Sequence, residues 1–306
     1  MNNIRLIPRL DIKGPNLIKG IQFDGYRVLG TAEEFAELYY RAGADELIYQ
    51  DVVASLYRRN SLIEIIERTA NKIFIPLTIA GGISSIEDIR KILRAGADKV
   101  AINTAAIENP KLLSEASKMF GSQCIVSSIE SYRSNNGKYE VWVDYGRENT
   151  GVEAIEWAKK VEDLGVGEIL LTSINREGTG KGYDIELTHK ISSIVSIPVI
   201  ACGGAGKQKD FTEVIKQGSA NAVAAASIFH YYYASPKEGH TMQFKKKELR
   251  MGKNIDSGNI DFLKNGYGGQ KAITVCPCSI KEVKRELTES GINTRTETFS
   301  KVTLNE

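Results

Sequence analysis

Residues 75–83 and 197–205 spell one element twice. The first reads Ile75-Pro76-Leu77-Thr78-Ile79-Ala80-Gly81-Gly82-Ile83. The second reads Ile197-Pro198-Val199-Ile200-Ala201-Cys202-Gly203-Gly204-Ala205, at an offset of 122 positions. The same offset of 122 carries Gly43-Ala44-Asp45-Glu46-Leu47-Ile48 onto Gly165-Val166-Gly167-Glu168-Ile169-Leu170. A chain made of two similar halves must fold so that both halves meet equivalent surroundings. Each copy is a short apolar strand running into a double-glycine loop, and glycine lets backbone N–H groups approach an anion closely. A single such loop is explained by a tight turn. Two at matching places point to two anion sites, and so to a substrate with a phosphate at each end.

Short apolar runs recur along the chain. Strands are predicted over 5–11, 46–51, 75–80, 99–103, 124–130, 168–173, 197–202 and 222–226, most of them apolar throughout, as in strands covered on both faces. Helical patterns lie between them. They include 32–41, 85–93 with Ser85 placed to cap its start, and 152–161. Gly43, Gly96 and Gly165 follow helices as C-terminal caps. Eight strands alternating with helices give a closed barrel or an open doubly wound sheet. The half-repeat favours closure, because an open sheet has two unlike edges. The expectation is a single (β/α)8 TIM barrel domain over 1–306 with a twofold half-barrel repeat and its chemistry at the C-terminal ends of the strands. Residues 234–272 are polar and aperiodic, and are expected as an insertion between the eighth strand and the final helix, which opens with a capping box at Ser279 and Glu282.

The net charge of +2 over 306 residues argues against a general nucleic-acid binder. The chain shows neither a signal-peptide core nor an apolar run long enough to cross a membrane, so a cytoplasmic protein is expected. The four cysteines, Cys124, Cys202, Cys276 and Cys278, fit a reducing compartment. Cys276-Pro277-Cys278 has no second cysteine pair beside it, and only His189, His230 and His240 are present as histidines. No metal and no cofactor are expected.

Asp11 lies at the end of the first strand and Glu130 at the end of the fifth. In an eight-stranded barrel these strands stand opposite each other. The two carboxylates are expected to face across the mouth, between the anion sites, as an acid–base pair whose environments separate their pKa values. Lys19 either adds positive charge near the substrate or is a solvated surface lysine. Asn103-Thr104 and Ala226-Ser227 end the strands that follow each glycine loop. Arg5, Glu46, Lys99 and Glu168 open strands, so their side chains are expected to meet at the opposite end of the barrel as a salt-bridge layer.

Several motifs now combine. Ile7-Pro8-Arg9-Leu10-Asp11-Ile12-Lys13, Ala42-Gly43-Ala44-Asp45-Glu46-Leu47, Leu93-Arg94-Ala95-Gly96-Ala97-Asp98-Lys99-Val100, Phe120-Gly121-Ser122-Gln123-Cys124-Ile125-Val126 and Gly167-Glu168-Ile169-Leu170-Leu171-Thr172-Ser173 together resemble the cyclase subunit family of imidazole glycerol phosphate synthase. The resemblance covers most of 4–230 and resumes at 279–295. It implies a cyclase of histidine biosynthesis that closes and cleaves a bisphosphorylated ribulosyl formimino intermediate, giving imidazole glycerol phosphate and an aminoimidazole carboxamide ribotide. It implies that ammonia arrives through the barrel from a glutaminase subunit docked at the barrel bottom, forming a heterodimer. Asp11 and Glu130 are then the acid–base pair. Gly82, Asn103 and Thr104 bind one phosphate and Gly178, Gly204, Ala226 and Ser227 the other, with Lys19 and Thr172 also on the substrate. Arg5, Glu46, Lys99 and Glu168 match the family's ammonia gate, and Asp98 and Gln123 match positions facing the glutaminase.

The mouth departs from the family. Glu130 and Glu177 stand where aspartates are usual, Asn175 also replaces an aspartate, and Arg9 replaces a cysteine. Two alternatives follow. One is an ammonia-channelling subunit of a sugar amidotransferase system for surface polysaccharide. The other is a non-catalytic partner that activates a glutaminase; the retained phosphate loops argue against it.

Overall fold

The computed structural model describes residues 3–53, 62–234 and 275–295. Eight parallel strands close into a barrel. They are β1 (Arg5–Lys13), β4 (Leu47–Asp51), β5 (Leu77–Ala80), β6 (Lys99–Ile102), β7 (Ile125–Arg133), β10 (Glu168–Ser173), β11 (Val199–Cys202) and β12 (Ala222–Ala225). Each pairs with the next, β12 returns to β1, and β7 pairs in register with β10 from Val126 opposite Glu168 to Ser131 opposite Ser173. No edge is left open. All eight strands foreseen from the apolar runs are present.

The barrel strands bury nearly every side chain because both faces are covered. Alternate residues point inward. Ile7, Ile48, Val126, Leu170 and Ile200 meet Ala80, Ala101, Ala222 and Ala224 inside the barrel. The intervening positions, such as Leu10, Tyr49, Ile79 and Ile169, pack outward against helices. Burying each such large aliphatic side chain is worth about 1.5–3 kcal/mol.

The covering helices are α1 (Ala32–Arg41), α2 (Ile63–Ala70), α3 (Ile86–Arg94), α4 (Thr104–Glu108), α5 (Lys111–Phe120), α6 (Ala154–Asp163), α7 (Ile185–Ser192), α8 (Gln208–Gly218), α9 (Ser227–Tyr233) and α10 (Ile280–Glu289). The Ser85 hydroxyl accepts from the Asp88 amide at 3.1 Å, a cap worth about 1 kcal/mol. At α10 the Glu282 amide donates to Ser279 Oγ at 3.1 Å and the Ser279 amide donates to Glu282 at 2.7 Å, completing the box. Gly43, Gly96 and Gly165 take φ of +91°, +108° and +89°, each just past a helix C-cap.

Two hairpins were not foreseen. β1 runs on beyond Asp11 and pairs antiparallel with β2 (Asn16–Ile21), which pairs with β3 (Asp24–Thr31). β7 likewise runs on beyond Glu130 into β8 (Tyr139–Val143) and β9 (Glu148–Glu153). Both hairpins follow opposite strands of the barrel and rise from the same rim. Polar residues interrupt all four added strands, and only β8 alternates cleanly between buried and half-buried positions, so they do not resemble the continuous apolar runs of the barrel. Asn136-Gly137 between β7 and β8 was the available hairpin signal.

The expected insertion at 234–272 lies, from residue 235, outside the described residues. The chain is described again from Val275, and the Cys276 amide donates to the Gly206 carbonyl in the loop after β11 at 2.7 Å. At the other end of the barrel, Ile4 bridges Thr294, and its amide donates to Asn293 at 2.8 Å. Among the described residues no helix is long and apolar enough to cross a membrane.

Candidate functional site

Parallel strands of one barrel end at one rim, so the loops Gly81-Gly82 and Gly203-Gly204 stand on the same side. A Cβ at Gly81 would lie 2.3 Å from the Asp51 carbonyl oxygen, and one at Gly203 would lie 2.9 Å from that of Ser173. Asp51 and Ser173 are themselves 122 positions apart. These glycines are therefore required by the close approach of the preceding strand, whatever binds there. The residues just before α4 and α9 repeat as well. Asn103 takes φ −117°, ψ −84° and Ala226 takes φ −120°, ψ −77°.

Two cavities open at these loops. The larger, about 550 Å³, is lined by Gly81, Gly82, Asn103, Thr104, Tyr145 and Glu130 among others. The smaller, about 10 Å³, is lined by Glu177, Gly178, Gly203, Gly204, Ala226 and Ser227 with Cys202. The loops are alike but the spaces are not, and the second hairpin bonds to the first site. There the Asp144 amide donates to Thr104 Oγ1 at 3.1 Å, and Asn103 Nδ2 donates to the Trp142 carbonyl at 3.0 Å.

Between the cavities lies a buried charge network. Glu130 lines the larger cavity, whereas Asp11, 1% exposed, lines neither. Arg9 Nε donates to Asp11 Oδ1 at 3.1 Å and Lys19 Nζ to Oδ2 at 3.4 Å. Lys19 also pairs with Glu177. Lys19 is 3% exposed, so the reading of a solvated lysine is corrected: the β2 strand carries it inward over the mouth. Burial works against ionisation of Asp11, but the charges of Arg9 and Lys19 outweigh it and hold the carboxyl below its usual range. Burial raises Glu130 to about 7, opposed in part by Arg9 and by the Gly146 amide. Their surroundings thus push the two carboxyls in opposite directions. Burial likewise opposes the charge on Lys19, yet Glu177 and Asp11 raise it above its ordinary value. Arg9 Nη1 reaches Thr172 Oγ1 at 3.3 Å and Cys202 Sγ at 3.6 Å.

At the opposite end, four charges form a closed ring. Arg5 donates to Glu46 at 2.8 Å and pairs with Glu168, while Lys99 lies 3.0 Å from Glu46 and 3.1 Å from Glu168. Each cation touches both carboxylates, so no charge in the ring is left uncompensated. Asp98 is tied to the Leu77 amide at 2.8 Å beside this ring.

A family model described as "Histidine biosynthesis protein" matches residues 5–234. The chain belongs to the histidine biosynthesis family. Within it, the chain is 59% identical to the imidazole glycerol phosphate synthase subunit HisF of Legionella pneumophila over 211 residues, 69% of this chain and all of that protein. It is 50% identical to HisF of Methanopyrus kandleri over 245 residues, 74% of this chain and 90% of the relative. It is 49% identical to HisF of Bacillus cereus over 246 residues, 80% of this chain and 95% of the relative. The chain is a cyclase-subunit member of the family, as its motifs suggested.

Sequence reasoning missed part of this family member's centre. Phe23 and Tyr145 come from the two hairpins and flank Arg9, with Cζ 5.6 Å and 5.9 Å from their ring centroids. Their loops carry no motif that marks them. His230 was read only as one of three histidines. It is fully buried in α9, where its Nδ1 lies 2.5 Å from the Tyr39 hydroxyl, and burial lowers its pKa to about 3.

Proposed function

We propose that this chain performs the cyclase step of imidazole glycerol phosphate synthase on a bisphosphorylated ribulosyl formimino intermediate, using ammonia from a glutaminase partner. The observation that carries the reading is the placement of two buried carboxyls, Asp11 and Glu130, on opposite strands at the rim where the two glycine loops repeat. Asp11, kept ionised by Arg9 and Lys19, accepts a proton as the nitrogen attacks. Glu130 keeps a proton near neutral pH and delivers it to the departing group. One phosphate sits with Gly82, Asn103 and Thr104, the other with Gly178, Gly204, Ala226 and Ser227. The second space is small before the ligand arrives, so binding there requires the loop after β10, which carries Gly178, to yield.

Ammonia enters at the charged ring. Past it, the barrel interior is packed with aliphatic side chains and with Ala80, Ala101, Ala222 and Ala224, surroundings that suit a small neutral molecule better than ammonium. The partner docks on this same bottom face. Phe74, Met119 and Ile194 are 82%, 56% and 41% exposed. Each lies at or beyond the end of a helix that leads into the bottom of a barrel strand. Large exposed apolar side chains at this end of the barrel support a partner surface there. A cytoplasmic setting belongs to the same proposal, supported by the free thiols of Cys124, Cys202, Cys276 and Cys278.

The test supplies purified protein with the bisphosphate intermediate and an ammonium salt and follows loss of the intermediate. Turnover that disappears in Asp11→Asn supports the reading. Binding without turnover by the unaltered chain would refute it.

A further inference from the structure

The centre of the site holds a hydrogen-bond donor that the fold leaves unused. Arg9 is 1% exposed. Its Nε is committed to Asp11 and its Nη1 to Thr172 and Cys202. Among the described residues Nη2 has no partner. Buried polar atoms in folded chains are nearly always satisfied, and a bond from a guanidinium is roughly twice as strong as a neutral one. An N–H on a buried cation that no described residue engages is therefore a place for a further acceptor.

Its location supports this. Arg9 touches Cys202, which lines the smaller cavity, and lies beside Tyr145, which lines the larger one together with Glu130. Arg9 itself lines neither cavity; it stands behind Cys202 on one side and Tyr145 on the other. Its orientation is also fixed. Asp11 and Thr172 hold two of its nitrogens, and the Phe23 and Tyr145 rings flank the guanidinium from the two hairpins. A guanidinium so held presents its remaining N–H groups in one direction without further ordering cost. Glu130 Oε2 is also unpartnered among the described residues, so the two groups are not bonded to each other through these atoms.

We propose that Arg9 is a substrate-contacting residue whose Nη2 holds a carbonyl or carboxylate oxygen in the middle of a molecule gripped at both ends. The proposal rests on the bisphosphate reading above and deepens it. The carboxamide that leaves with the aminoimidazole product supplies such an oxygen, while Glu130 Oε2 stays available for proton transfer. Arg9 then selects substrates by their central group, and the phosphate loops select by their ends.

The experiment measures binding of two ligands to the full chain by calorimetry. One is the bisphosphate intermediate; the other is butanediol bisphosphate, which has phosphates at both ends and no central acceptor. Arg9→Met, of similar length and without charge, is expected to weaken the intermediate by about ten- to a hundredfold and the plain bisphosphate by less than about threefold. Arg9→Lys keeps the charge beside Asp11 but loses the fork, and is expected to show the same selective loss. It carries the test if Arg9→Met does not fold. Equal loss for both ligands, or no loss, overturns the contact. If the unaltered protein binds neither ligand, the bisphosphate reading falls, and the proposal with it.

Discussion

Phe23 and Tyr145 meet with ring centroids 4.2 Å apart, although 122 positions separate them. Each is the second of two consecutive left-handed residues at a hairpin tip: Gln22 and Phe23 at φ +49° and +65°, Asp144 and Tyr145 at φ +52° and +58°. Left-handed conformations in non-glycine residues cost energy and persist where the surroundings enforce them. Here the two tips touch each other above Arg9. A double-mutant cycle of Phe23→Leu and Tyr145→Leu, read by urea unfolding, is expected to give a coupling of about 0.5–1.5 kcal/mol. Additive effects would mean that the rings only fill space.

Asp11 is the better-held of the two central carboxylates, with a cation on each oxygen. Asp11→Asn keeps the shape and removes the proposed base. The expected result is a loss of ammonium-dependent turnover of about 100- to 10,000-fold with a modest change in KM. Retained turnover would move the proton-transfer role elsewhere.

The opposite displacement of Glu130 makes a pH prediction. Its folded pKa is raised to about 7, so the acid form is lost as pH climbs through neutrality. The rate is expected to fall above about pH 7, and Glu130→Gln should remove that limb together with most of the activity. Stability shifts in the same sense. Between the unfolded carboxyl range and about 7, the folded chain binds the extra proton, so rising pH weakens the fold through this group. Thermal melts of the native chain and Glu130→Gln across that window check the sign. Asp11 runs the other way, adding stability above the unfolded range that is lost on acidification.

The ring at the barrel bottom has its own readout. Lys99→Ala leaves Glu46 and Glu168 sharing Arg5 alone, and uncompensated carboxylates would reorganise across the opening. Glutamine-dependent turnover with the partner present should change more than turnover driven by added ammonium salt. Equal changes would count against an ammonia route through the ring.

Gly81 provides a stability test with an internal control. Gly81→Ala meets both a positive φ of +99° and the Asp51 carbonyl at 2.3 Å, whereas Gly137→Ala meets a positive φ of +83° with nothing within 4 Å. Gly137→Ala should cost about 1–2 kcal/mol and Gly81→Ala clearly more, measured by chemical denaturation.

The barrel was legible because strands such as Leu77–Ala80 and Val199–Cys202 are buried on both faces, and a run that is apolar throughout has few other readings. The repeat supplied closure. The hairpins escaped because Asn16–Ile21 and Glu148–Glu153 alternate weakly and owe their shape to the neighbouring strand. The mouth was half legible for the same reason. Asp11 and Glu130 follow from strand position, but the burial of Lys19 and its bond to Glu177 depend on a hairpin folding back over the rim. The aromatic cover of Arg9 has no local signature at all.

The parallel bridge between Ile4 and Thr294, close to Arg295 and its bond to Asp45 at 3.0 Å, has a practical side. It brings both extremities of the described chain to one patch, next to Arg5 of the charged ring. A purification handle grafted before Asn3 or after Arg295 would start from this patch, the face proposed above for the glutaminase. Handles are better grafted at the turn near Gly137, on the far rim, when the assembled enzyme is to be weighed or assayed.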